Sequence, residues 1–144
     1  MHKRVLSYSG LALAISLAVV VGAYAQDKRA KEFEKLVAGT EPLFVDGERV
    51  YRPNEVTQTA SITLKPEPMF TDKARKKKAH GTVEMRAVFK SNGELKVLSV
   101  LKRLRYGSTE QALDGASRIR FKPALLDGKP VSQIIRLQYD FNRY

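Results

Sequence analysis

No cysteine and no tryptophan occur in the 144 residues, and histidine occurs only twice. Without thiols, a disulfide framework, a thiolate metal site and a lipid-bearing cysteine behind a leader are all excluded, so a packed apolar core must hold the fold. His80 is the one histidine beyond His2, which leaves a single candidate for a histidine metal cluster or a Ser-His-Asp constellation. Lying between a basic run and a glycine, it reads as a surface residue. Gly107-Ser108-Thr109 lacks a second glycine at the spacing of a phosphate-cradling loop. Neither catalysis nor a bound cofactor or metal is expected. Proline is sparse too: the six prolines fall between Pro42 and Pro130 and form no Pro-rich tract.

What the chain does have is positive charge, 26 Lys and Arg against 15 Asp and Glu. Such a balance favours anionic partners, among them nucleic acid, lipid headgroups and acidic protein surfaces. The N-terminus argues against nucleic acid. His2, Lys3 and Arg4 make a positive start, Leu11 to Val21 is apolar apart from Ser16, and Ala23-Tyr24-Ala25 precedes Gln26 as a small-x-small site. This reads as a secretory signal peptide over residues 1–25 with cleavage between Ala25 and Gln26, and hence a periplasmic product. The alternative is a short uncleaved inner-membrane anchor facing the periplasm, although a spanning helix wants about 20 apolar residues.

Residues 26–61 read as an appendage. Asp27 to Gly39 has helical periodicity, with Ala30, Phe33, Leu36 and Val37 on one face and Gly39 as its stop. Asp46-Gly47 between Leu43-Phe44-Val45 and Arg49-Val50-Tyr51 predicts a small hairpin, which two short strands hold only by leaning on a larger body.

Residues 62–144 read as the domain. Thr71 is placed to cap a short helix that carries the densest charge run, Lys73 to Lys78. Its cations suit either a solvated helix C-terminus or an anionic lipid or glycan surface. Val83, Met85, Ala87 and Phe89 then alternate with Thr82, Glu84 and Arg86, Ser91-Asn92-Gly93 turns the chain, and Leu95 to Lys102 alternates again. The pattern is a β-hairpin with one buried face, and Val88, Leu98 and Val100 call for some cover on the other. Ser108 to Gln111 has the form of a capping box, and Ala112, Leu113, Ala116 and Ile119 follow at core-facing spacing, with Gly115 marking a close approach to the sheet. Phe121 to Val131 is a hinge: Pro123 ends the helical region, Asp127-Gly128 turns, and Pro130 leads into an alternating strand from Gln133 to Phe141. The fold class is α+β, a β-β-α-β unit in which a small antiparallel sheet carries a helix on one face. A helical crossover seats the last strand beside the first, giving spatial order 2-1-3 with the last strand at the edge.

These residues resemble the C-terminal domain of TonB, the energy transducer of the Gram-negative envelope, from about Ile62 to Phe141. The likeness rests on Pro68-x-Phe70-x-x-x-Ala74-Arg75, Gly81-x-Val83, Asn92-Gly93, Thr109-Glu110-x-Ala112-Leu113, Phe121-x-Pro123-Ala124, Asp127-Gly128-x-Pro130-Val131 and Tyr139-x-Phe141. It implies a protein partner, a TonB-box-like segment of an outer-membrane receptor, taken up beside the last strand. The expected site is Gln133, Ile134, Ile135, Arg136, Leu137, Gln138, Tyr139 and Asp140. Inner-membrane motor proteins join the expected partners if the N-terminus is uncleaved, and an exposed edge also allows a homodimer. Two departures from the TonB pattern stand out: the leader looks cleavable, and Gln26 to Ser61 spans only roughly 120 Å even fully extended. Two readings follow, a TonB-like receptor-gripping module in energy-dependent transport, or an exported adaptor or structural interaction domain of the envelope without energy transduction.

Overall fold

The computed structural model describes residues 27–142. One compact unit ends at Gly39 and a second runs from Thr40 onward. In the first, residues 27–38 form helix α1, and the Gly39 amide donates to the Leu36 carbonyl at 3.1 Å, so the helix ends at the predicted glycine. The expected cleavage residues Ala23, Ala25 and Gln26 lie outside the described residues.

The second unit comprises β1 (Leu43–Val45), β2 (Glu48–Tyr51), a 3-10 turn (Pro53–Glu55), β3 (Ser61–Leu64), α2 (Asp72–Lys76), β4 (Gly81–Phe89), β5 (Leu95–Lys102), α3 (Ser108–Ser117), β6 (Arg120–Lys122), β7 (Ala124–Leu126) and β8 (Lys129–Phe141). β4 and β5 make the expected antiparallel hairpin, with Gly93 at φ 91° in its turn. α3 then carries the chain back, and β8 pairs antiparallel with β4 from Gly81↔Phe141 to Phe89↔Gln133. The order β5-β4-β8 is the predicted 2-1-3 arrangement.

The core lies between this sheet and α3. Val83, Met85, Ala87 and Phe89 of β4 and Leu137, Tyr139 and Phe141 of β8 cluster with Ala112 and Ala116. Small helix residues permit that approach: a Cβ added to Gly115 would stand 3.4 Å from the Tyr139 ring. Thr71 caps α2 as expected, its hydroxyl accepting from the Ala74 amide at 3.0 Å.

The start of α3 departs from the predicted capping box. Ser108 is the first helical residue rather than the cap, and its buried hydroxyl has no hydrogen-bond partner. Tyr106 and Gly107 both take positive φ, 63° and 80°, which reverses the chain just ahead of the helix and leaves Gly107 in the cap position. Thr109 anchors the turn instead, its hydroxyl donating to the Leu104 carbonyl at 2.8 Å and accepting from the Leu104 amide at 2.9 Å.

The hinge also holds more structure than its prolines imply. Pro123 separates two short strands: β6 pairs with β3 through Ile62↔Phe121 and its neighbours, while β7 forms a hairpin with β8 across Asp127-Gly128. Asp127 at φ 50° and Gly128 at φ 79° supply the turn. The last strand therefore begins at Lys129, four residues before the predicted start.

The hairpin expected to hang with residues 26–61 is hydrogen-bonded into the main sheet. β2 pairs in parallel with β8 through Val50↔Ser132 and Tyr51↔Gln133, which puts β1 and β2 outside β8 in the strand order. Leu43, Val50, Val88 and Ile134 are buried but stand apart from the α3-side cluster, so the face of Val88 is covered as its composition required. Ion pairing of Lys96 with Asp46 and a contact of the Ser132 hydroxyl with the Glu48 carboxylate tie the hairpin to β5 and β8. The physical reason is the one that makes an isolated hairpin marginal: Leu43 and Val50 reach burial only against the sheet.

Candidate partner-binding edge

β8 is thus not an edge along its whole length. On the side away from β4 it is occupied at Ser132 and Gln133 and then pairs with no further strand among the described residues, because Pro53 turns the chain out of line directly after β2. Gln133 falls out of the predicted site on this ground: it is buried, strands flank it on both sides, and its side-chain oxygen accepts from the Ala60 amide at 2.7 Å.

Two observations fix which backbone groups face outward. The Gln138 carbonyl accepts from the Lys65 ammonium at 2.6 Å, so it points away from β4, and outward groups recur at every second residue of a strand. The β2 ladder gives the same parity. Bonding through the odd-numbered residues of β8 would need the Arg52 amide, which instead donates to the Glu55 carboxylate at 2.6 Å. The outward set is Ile134, Arg136, Gln138 and Asp140. Ile135, Leu137, Tyr139 and Phe141 give their backbone groups to β4.

Side chains follow a matching division. Leu137 and Tyr139 are buried and Ile135 is partly buried, all packed toward α3, while Arg136, Gln138 and Asp140 are exposed. Ile134 is the exception among the outward set, its side chain buried on the hairpin face. The charges along this reach engage the neighbouring strand: Arg136 pairs with Glu84 of β4 at 3.0 Å, and Asp140 accepts from the Thr82 hydroxyl at 2.7 Å.

The far end of the edge has a neighbour that sequence reasoning missed. Residues 65–68 run past the end of β8, and Pro66 and Pro68, with no N–H to offer, cannot extend β3 into a strand that pairs with it. They leave a cavity of about 340 Å³ lined by Lys65, Glu67, Phe70, Tyr139, Asp140 and Asn142 together with the two prolines. Lys65 also stands 4.7 Å over the Tyr139 ring, so its ammonium covers the Gln138 end of this reach, while Ala60 lies at its Gln133 end. The Lys-Pro-x-Pro spelling shows an extended segment but carries no mark of what it lies beside.

Tyr139 is the buried titratable group of the site. Burial pushes its phenol up to about 12, opposed by a weaker downward pull from the Arg118 guanidinium, and its hydroxyl has no hydrogen-bond partner. A phenol that keeps its proton in the folded state beyond its ordinary value near 10 stabilises the fold fully below about pH 10 and loses that contribution as pH rises toward 12. Tyr139→Phe should flatten this alkaline loss, read as the change in urea midpoint between about pH 9 and about pH 11, with little change at neutral pH. An unchanged alkaline slope would place the effect on another group.

A three-stranded antiparallel core under one crossover helix, with a last strand paired on its second side over only part of its length, defines a small α+β domain. The family model for the Gram-negative bacterial TonB protein C-terminal matches residues 66–142, more than half of the sequence, and the chain belongs to this family. Its domains are protein-interaction modules of the cell envelope that serve transport. No curated protein matches the chain. Among the described residues, no helix is long and apolar enough to cross a membrane.

Proposed function

We propose that the protein is a periplasmic TonB-like module that engages outer-membrane TonB-dependent receptors by strand addition, in energy-dependent transmembrane transport. A short extended receptor segment of the TonB-box kind adds alongside residues 134–140. The observation that carries this reading is the mismatch of the two sides of β8: β4 pairs with it as far as Phe141, while β2 stops at Gln133. An unpaired row of amides and carbonyls on a rigid, buried strand is a template for an incoming chain. Maturation at Gln26, from the Ala23-Tyr24-Ala25 pattern, belongs to the same proposal.

Amide hydrogen exchange on the whole protein tests it. Adding a receptor-derived peptide should slow exchange of the Arg136, Gln138 and Asp140 amides, with no comparable change at Leu137 or Tyr139, which are already bonded to β4. A peptide that binds and leaves the three outward amides unchanged docks elsewhere.

A further inference from the structure

Two basic runs far apart in the sequence meet at one pole of the domain. One is Lys73, Arg75, Lys76, Lys77 and Lys78 in and after α2; the other is Lys102, Arg103 and Arg105 between β5 and α3. The Thr71 hydroxyl donates to the Tyr106 carbonyl at 2.6 Å, and the Lys73 ammonium stands 6.0 Å over the Tyr106 ring. Leu104 packs so closely on Gly81 that a Cβ there would lie 3.0 Å from its side chain. The register pairs Glu84 with Lys102 and Gly81 with Phe141, so both runs sit at the sheet end where β8 finishes.

All eight cations are exposed, and none enters an ion pair among the described residues. The acidic residues within residues 69–80 and 101–110 are Asp72 and Glu110, each in the first turn of its own helix. The nearest acids on the sheet are engaged elsewhere, Glu84 with Arg136 and Asp140 with the Thr82 hydroxyl.

We propose that the pole docks on the phosphate-bearing surface of an anionic membrane. Five of the eight are lysines, compact charges on flexible stems that follow a mobile array of phosphates rather than the planar fork geometry one fixed anion rewards. Met69, 67% exposed just ahead of α2, adds an apolar side chain at the same pole, where it can enter the headgroup region beside the cations. A domain held this way stands with the open reach of β8 running toward the bilayer. The proposal is independent of what binds that edge.

The test is partition of the whole chain onto vesicles of neutral phosphatidylcholine with and without phosphatidylglycerol, so that the N-terminal segment is common to every arm. The excess binding to the anionic vesicles should fall at least about tenfold between roughly 0.05 and 0.5 M salt. It should fall about as far in each of two triple variants, Lys76→Glu/Lys77→Glu/Lys78→Glu and Lys102→Glu/Arg103→Glu/Arg105→Glu, because the two runs form one surface. Arg120→Glu/Lys122→Glu/Lys129→Glu makes the same charge change near the Phe89 end of β4, roughly 25 Å away and beyond the screening length of about 10 Å; it should keep the excess within about twofold. Circular dichroism confirms that each variant folds, as expected for exposed positions. Equal loss in this third variant would reduce the effect to net charge and overturn the proposal. So would the absence of any anionic excess, or its removal by inorganic phosphate at matched ionic strength, which would mark a small-anion site.

Discussion

Proline substitutions along β8 should sort by parity. Gln138→Pro, Arg136→Pro and Asp140→Pro should leave the domain folded but weaken binding of a receptor-derived peptide by about tenfold or more, while Leu137→Pro and Tyr139→Pro should unfold it. The even-numbered amides face away from β4, so a proline ring there removes a donor from the partner and none from the ladder. The odd-numbered amides are bonded to β4, and losing one leaves a ladder carbonyl unsatisfied at a cost of about 1–3 kcal/mol before the loss of a core side chain is added. Gln138→Pro is the cleanest case. Its side chain is exposed, whereas Arg136 also loses its Glu84 pair and Asp140 its Thr82 hydrogen bond. Matched alanine variants separate those side-chain terms from the backbone term. Peptide titration and circular dichroism read the two halves of the expectation. Full affinity in all three folded even-position prolines would remove β8 as the binding edge, and a folded Leu137→Pro would refute the parity itself.

Phe89→Ala should be the most destabilising single truncation in the domain, about 3–5 kcal/mol. Phe89 is 1% exposed at the end of β4, and its ring stacks on Phe121 at 4.0 Å with the planes 13° apart. Removing it leaves a cavity where β4, the hinge and the α3-side core meet. With a domain stability of about 5–15 kcal/mol, that loss lowers the thermal midpoint by roughly 10 °C or more. Phe44→Ala is the control, since Phe44 is 60% exposed on β1 and its loss should stay within about 0.5 kcal/mol. Thermal melts of the two variants decide the matter. A Phe89→Ala midpoint close to that of Phe44→Ala would mean that the Phe121 stack does not hold the hinge on the sheet.

Much of this architecture is local in origin, and local patterns are what a sequence displays. The alternation of Val83, Met85, Ala87 and Phe89 sets the buried face, Asn92-Gly93 and Asp127-Gly128 select turns that need positive φ, and Ala112 and Ala116 with Gly115 announce a helix lying close on a sheet. From these the order 2-1-3 follows, since a helical crossover leaves few seats for the last strand. The α3 start shows where local reading fails even at short range. Ser108 and Gln111 have the residues of a capping box, but positive φ at Tyr106 and Gly107 shifts the helix boundary, and no side-chain pattern specifies that pair of angles.

Lateral pairing is where sequence reading stops. Nothing in Glu48–Tyr51 says that it will lie parallel to Ser132 and Gln133, because backbone hydrogen bonds are the same for every residue and burial of Leu43 and Val50 could be had against several surfaces. Lys65 similarly carries no mark of the Gln138 carbonyl it meets, 73 positions away. The sequence by itself determined the β4-β5 hairpin, its turn, the helix face, the family and the presence of an alternating last strand. Only the tertiary structure decided that β2 occupies this edge as far as the Tyr51↔Gln133 bridge, that its even-numbered groups face outward, and that two basic runs share one pole. Those outcomes depend on which separate segments compete for the same backbone groups and the same surface, a competition settled only when the whole chain is packed.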